Sequence, residues 1–116
     1  MTTDTLNLPP DLKEALDQAV AAIVEVARPR LVILFGSWAE GKARPGSDVY
    51  LLVVAPTRDA IRLGVDIDRA IRPVLRPRAF DLLVYTPQEW RSAKQIIGFT
   101  SYEADHYGVR LYDQAA

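Results

Sequence analysis

The chain contains no cysteine, one methionine and one histidine. Without thiols it can form no disulfide, no thiolate metal site and no cysteine nucleophile. An excess of one charge is also missing: 14 basic side chains face 15 acidic ones, a formal net charge of −1. No overall basic field is available for non-specific nucleic-acid binding. No uninterrupted apolar run approaches the ~18 residues of a spanning helix. The N-terminal stretch MTTDTLNLPPDLKEAL has neither the basic n-region nor the apolar h-region of a signal peptide. A soluble, cytoplasmic protein with no membrane contact is the expectation, and neither internal repeats nor low-complexity segments interrupt the chain.

What is present is ordinary for a globular domain: 49% hydrophobic, 25% charged and 9% aromatic residues. At 116 residues one domain is expected, burying roughly 65% of the surface its unfolded chain exposes. Residues 1–8 are polar and read as a flexible N-terminus, leaving 9–113 as the domain.

Periodicity divides that domain into elements. Leu12, Ala15, Leu16, Ala19, Ile23, Val26 and Ala27 recur at spacings of three and four, which predicts a helix starting at Pro10 and stopped by Pro29. Arg30 to Phe35 is short, branched and apolar, a buried strand. Gly36 turns the chain, and Ser37 is the expected cap of a short helix from Trp38 to Gly41, whose amides would attract an anion. Pro45 and Gly46 mark a loop, followed by a strand from Asp48 to Val54 in which Asp48, Tyr50 and Leu52 share a face. A second amphipathic helix spans Arg58 to Leu75, with Pro77 beyond it. Its Asp66 and Asp68 stand two residues apart, on different sides of the helix, and read as a solvated face rather than an ion site.

Phe80 to Tyr85 is a third strand, expected to be buried apart from Asp81. Thr86-Pro87-Gln88-Glu89 has the capping residue, the proline and the glutamate of a helix start, with the helix running to about Ile97. A short helix from Thr100 to Tyr107 and an edge strand from Val109 to Tyr112 complete the order α-β-α-β-α-β-α-α-β. The expected fold class is α/β (α+β), a small mixed sheet flanked by helices.

Chemistry concentrates in LFGSWAEGKARPGSDVYLLVV. A Gly-Ser turn, a carboxylate opening the next strand at Asp48 and a carboxylate on the third strand at Asp81 are the parts of metal-assisted nucleotidyl transfer. Amides hold a triphosphate, while carboxylates hold hard magnesium ions. On Gly36, Ser37, the ten-residue spacer to Asp48, and Asp81, the sequence resembles the minimal nucleotidyltransferases of the DNA polymerase beta superfamily. The resemblance extends over nearly the whole chain. It implies the nucleotidyltransferase fold, ATP and Mg2+ as cofactors, Asp48 and Asp81 as catalytic metal ligands, and Gly36, Ser37 and Arg44 as nucleotide contacts.

Tyr50 departs from the pattern. The family has Asp-x-Asp here, and the second Asp bridges both metals. A phenol is neutral at physiological pH and a poor substitute for a carboxylate on magnesium, so the metal-binding triad is incomplete and enzymatic activity is in question. Small stand-alone members of the family often serve as antitoxins. The resemblance therefore implies an antitoxin that neutralises a HEPN-domain ribonuclease toxin by forming a complex, by transferring AMP to a toxin tyrosine, or both, within a homo- or hetero-oligomer. Two alternatives stand beside it: a non-catalytic nucleotide- or protein-binding module, and a small-molecule nucleotidyltransferase, against which the short chain weighs. The basic positions Arg69, Arg72, Arg76 and Arg78 read as a solvated helix end. His106 has no partner signature, and Trp38, Trp90, Tyr102, Tyr107 and Tyr112 read as core or interface.

Overall fold

A computed structural model describes residues 7–116, so most of the expected flexible N-terminus, residues 1–6, lies outside the described residues. Nine elements follow in the expected order: α1 Pro10–Ala27, β1 Leu31–Phe35, α2 Ser37–Glu40, β2 Val49–Val54, α3 Ala60–Leu75, β3 Phe80–Tyr85, α4 Pro87–Ala93, α5 Thr100–Tyr107 and β4 Val109–Asp113. The four strands form one sheet in the order β3-β2-β1-β4. β1 runs antiparallel to both β2 and β4, and β2 runs parallel to β3. The parallel pair requires a crossover, which α3 supplies.

Strand alternation splits the core in two. Val32, Leu34, Val49, Leu51 and Val53 point to the side where α1 and α3 pack, and join Leu12, Leu16, Ile23, Ile67, Ile71 and Leu75 in a closed cluster. Leu31, Ile33, Phe35, Leu52 and Val54 point the other way, against Trp90 of α4 and Ala104 of α5. Both sides of β1 and β2 are therefore buried, which is why these strands read as continuous apolar runs.

Local chemistry sets the boundaries. Pro29 disfavours helical geometry at Arg28, which adopts a left-handed conformation (φ 45°, ψ 59°) while its N–H closes the last turn on Val24. Asp59 caps α3 through the Arg62 N–H. Thr86 and Glu89 form the expected reciprocal capping box. Pro73 lies inside α3, where a proline removes a helical hydrogen bond. The final turn persists because Ile71 and Leu75 on either side of it are fully buried.

Three expectations need correction. α4 stops at Ala93, not near Ile97; residues 94–99 form turns that end in a left-handed Gly98, and Ile97 is 80% exposed. No apolar partner face continues there to hold a longer helix. β3 is not buried: it is an edge strand whose residues are half-buried, and Asp81 is exposed. Its charge needs no compensating partner. Ser37 does not cap α2, because Gly36 occupies the cap position and no side-chain cap bond forms.

The solvated-face reading of Asp66 and Asp68 holds, whereas Arg78, expected on a solvated helix end, lies beyond α3 and is half-buried. Asp66 pairs with Arg62 and Asp68 with Arg72, each on its own side of α3. The Arg72 guanidinium beside Asp68 holds that carboxyl below the usual carboxylate range. Arg78 pairs with Asp11, tying the start of α1 to the approach to β3. His106 stacks on Tyr102 at 3.9 Å between ring centroids and is exposed, while Trp90 is buried.

Candidate functional site

Phe35, Tyr50 and Asp81 lie side by side across β1, β2 and β3 in the hydrogen-bonded register. Alternation puts all three on the α4/α5 side of the sheet, in line with Leu52 and Leu83. Asp48 sits two residues before Tyr50, one position ahead of the strand rather than within it. The sequence-predicted Gly36 and Ser37 follow Phe35 directly. The fold thus brings the Gly-Ser turn, Tyr50 and Asp81 to one corner of the sheet.

Gly36 is constrained twice. Its backbone (φ 82°, ψ −159°) occupies a region essentially restricted to glycine. A Cβ at this position would also stand 2.8 Å from Cδ2 of Tyr50. The Tyr50 ring therefore lies directly against the turn, and on its other flank it packs with the Phe35 ring at 5.5 Å between centroids, tilted by 40°. Phe35 is a site residue that the motif does not include, although its parity with Leu31 and Ile33 places it on the face that Tyr50 shares.

The Gly36 carbonyl accepts from the N–H groups of Ala39 and Glu40, which leaves the amides of Ser37 and Trp38 at the open end of the turn. α2 is a single turn, so attraction of an anion rests on these local amides rather than on a long helix dipole. The Ser37 hydroxyl makes no capping bond.

The loop after α2 is held by three bonds. Trp38 Nε1–H donates to the Ser47 carbonyl at 2.9 Å, the Arg44 N–H donates to Ser47 Oγ at 2.8 Å, and the Ser47 N–H donates to the Arg44 carbonyl at 2.9 Å. This clasp fixes where Asp48 leaves the loop. Among the described residues, neither Asp48 nor Asp81 makes an ion pair or a side-chain hydrogen bond. Arg44 borders a separate concavity of about 620 Å³ with Trp38, Ser47, Arg78 and the start of α1.

The profile of the nucleotidyltransferase domain family matches residues 12–110, from α1 into β4. The chain belongs to that family. No curated protein matches it. Among solved structures, one described as a toxin-antitoxin with AMP-PNP superposes with a TM-score of 0.57 at 20% identity, covering 82% of this chain and 71% of that one. A second, described as a putative nucleotidyltransferase from Sulfolobus solfataricus, gives a TM-score of 0.49 at 18% identity, over 94% of this chain and 93% of that one. The mixed four-stranded sheet with flanking helices is the fold of this family.

In this nucleotidyltransferase domain the donor set does not fit a two-magnesium centre. Magnesium demands near-octahedral oxygen coordination, with protein carboxylates among its ligands. Here Asp81 lies beside Tyr50 in strand register, Asp48 precedes it by two residues, and the tyrosine ring is engaged with Phe35 and Gly36. Among the described residues, no group of three or more histidine, cysteine, aspartate or glutamate side chains is placed to hold a metal ion. What the corner retains is an amide-rich turn, a free hydroxyl and two unpaired carboxylates.

Proposed function

We propose that this chain is an antitoxin-type nucleotidyltransferase domain that acts chiefly by binding its toxin, a HEPN-domain ribonuclease, and transfers AMP poorly or not at all. The observation that carries this reading is Tyr50, packed on Phe35 and Gly36 where the family places a metal-bridging carboxylate. Gly36 and Ser37 are the residues assigned to nucleotide phosphates, Arg44 to their charge, and Asp48 and Asp81 to the remnant of the metal site. Support for a toxin partner comes from the fold shared with a toxin-antitoxin structure holding AMP-PNP.

Complex formation needs no metal, whereas transfer from ATP requires charge stabilisation at the attacked phosphate. Loss of a bridging carboxylate worth several kcal/mol slows such a reaction by about two to four powers of ten. The test compares the chain with Tyr50→Asp for ATP binding across a magnesium titration and for AMP transfer to a co-expressed HEPN protein. Toxin neutralisation by both versions, with transfer rising at least a hundredfold only in Tyr50→Asp, supports the proposal. Equal and robust transfer by both would overturn the loss of catalysis, and failure of both to associate with or modify the toxin would overturn the antitoxin reading.

A further inference from the structure

The two edges of the sheet differ in how they are protected. β4 carries Arg110 and Asp113, paired with each other, and a register irregularity opposite Val32 and Ile33. Charge and a bulge are the usual devices that blunt an edge strand. β3, FDLLVY, has neither a bulge nor a lysine nor a proline, and Asp81 is its one charge. It borders a groove of about 520 Å³ shared with α3, where Ile61 is 84% exposed and Val65 41% exposed.

The hydrogen-bonding pattern fixes what this edge can pair with. The Ala79 and Tyr85 carbonyls point inward, accepting from the N–H groups of Val49 and Ala55. Backbone groups alternate along a strand, so Asp81 and Leu83 also face β2, and the N–H and C=O of Phe80, Leu82 and Val84 face outward. Those three positions are symmetric about Leu82. A two-fold axis there pairs Leu82 with its copy and Phe80 with Val84 in both directions, making six backbone hydrogen bonds with none left over.

Charge on α3 obeys the same symmetry. Gly64 lies beside Val84 and the Arg72 guanidinium stands 4.7 Å over the Phe80 ring, so α3 runs antiparallel to β3 and its Asp68-Arg69 pair lies level with Leu82. The axis would bring Arg69 of each copy toward Asp68 of the other, where it would join the pair that Asp68 already makes with Arg72 of its own chain. Among the described residues Arg69 has no ion-pair partner within its own chain.

We infer that β3 is a self-association edge: two copies of this chain pair antiparallel through Phe80–Val84, joining their sheets into one of eight strands and covering Ile61 and Val65. This inference rests on the β3 edge alone and not on the toxin-binding reading. The cysteine-free sequence makes the test direct. Leu82→Cys places two thiols on the axis, at Cα positions about 5.5 Å apart in a hydrogen-bonded pair, within disulfide range. The expected result is a concentration-dependent mass of twice 12.9 kDa for the unaltered chain, with rapid disulfide formation in Leu82→Cys and none in a Leu111→Cys control on the β4 edge. Arg69→Asp should weaken the dimer roughly tenfold, and exchanging the charges with Asp68→Arg and Arg69→Asp should restore it, circular dichroism confirming folding throughout. A monomer at every concentration up to the millimolar range, or a dimer that cross-links through Leu111→Cys instead, overturns the inference.

Discussion

The two sides of the sheet are built from alternate residues of the same strands, yet they do different work. On the α1/α3 side, two long helices close over Leu51, Val53, Ile67 and Ile71, and among the described residues the buried side chains there are all apolar. On the α4/α5 side the covering helices are short, and the row Phe35, Tyr50, Asp81 runs from an apolar ring to an exposed carboxylate. Both sides bury apolar side chains, but only the second carries its row out to exposed polar groups. A strand with period-two alternation can therefore diverge at Tyr50 while Leu51, its neighbour in sequence, stays fixed by packing.

That contrast can be broken by mutation. The largest effect is expected on the closed side: Leu51→Ala should cost about 2–5 kcal/mol and lower the urea midpoint severely, whereas Leu83→Ala on the half-buried side should cost about 1 kcal/mol, because less surface leaves water. Comparable losses at the two positions would contradict the division. Next comes Gly36→Ala, expected to destabilise by about 1–3 kcal/mol from its backbone conformation together with the Tyr50 contact. Combining it with Tyr50→Ala should recover the steric share but not the backbone share. Strict additivity in that double-mutant cycle would show that the ring does not press on the turn.

Smaller still, Trp38→Phe removes the bond to the Ser47 carbonyl and should cost about 1 kcal/mol. Its signature is faster amide exchange in residues 42–47 with the sheet unaffected. Smallest of all is acid. Asp68 has a lowered folded pKa, so its pairing with Arg72 contributes above the unfolded value near ~4 and is lost as pH falls through the folded one. Both groups are solvated. The acid limb of the stability curve should therefore barely change in Arg72→Ala, and a large change would mean that the pair is more than a surface contact.

Legibility in the sequence followed the strength of the local signal. β3 and α5 match their expected bounds residue for residue, because Pro77, Thr86-Pro87, and Gly108 punctuate them. The end of α4 did not follow, since Ile96 and Ile97 extend an apolar pattern that no neighbouring element covers. Edge status for β3 was hidden for a related reason. FDLLVY has the composition of a central strand, and only the sheet order, which places β1 rather than β3 in the interior, separates the two. At the candidate site the residue types of Gly36, Ser37, Asp48, Tyr50 and Asp81 were readable from spacing. The contact of the Tyr50 ring with Gly36 was not, because it depends on the twist and register of two strands joined by a thirteen-residue connection from Gly36 to Asp48.

β1 is flanked by β2 on one side and by β4 on the other, and β4 is translated after every other strand of the sheet. While the chain emerges from the ribosome, the LVILF strand waits with one open side until residues 109–113 have cleared the exit tunnel. Gly108 makes the eventual closure tight: a Cβ there would collide with the Ala104 carbonyl and stand 2.6 Å from Ile33 Cγ2. A transcript that stops before residue 109 therefore yields a nascent chain with an uncovered apolar edge at its centre, a substrate for chaperones and proteases rather than a shortened working protein.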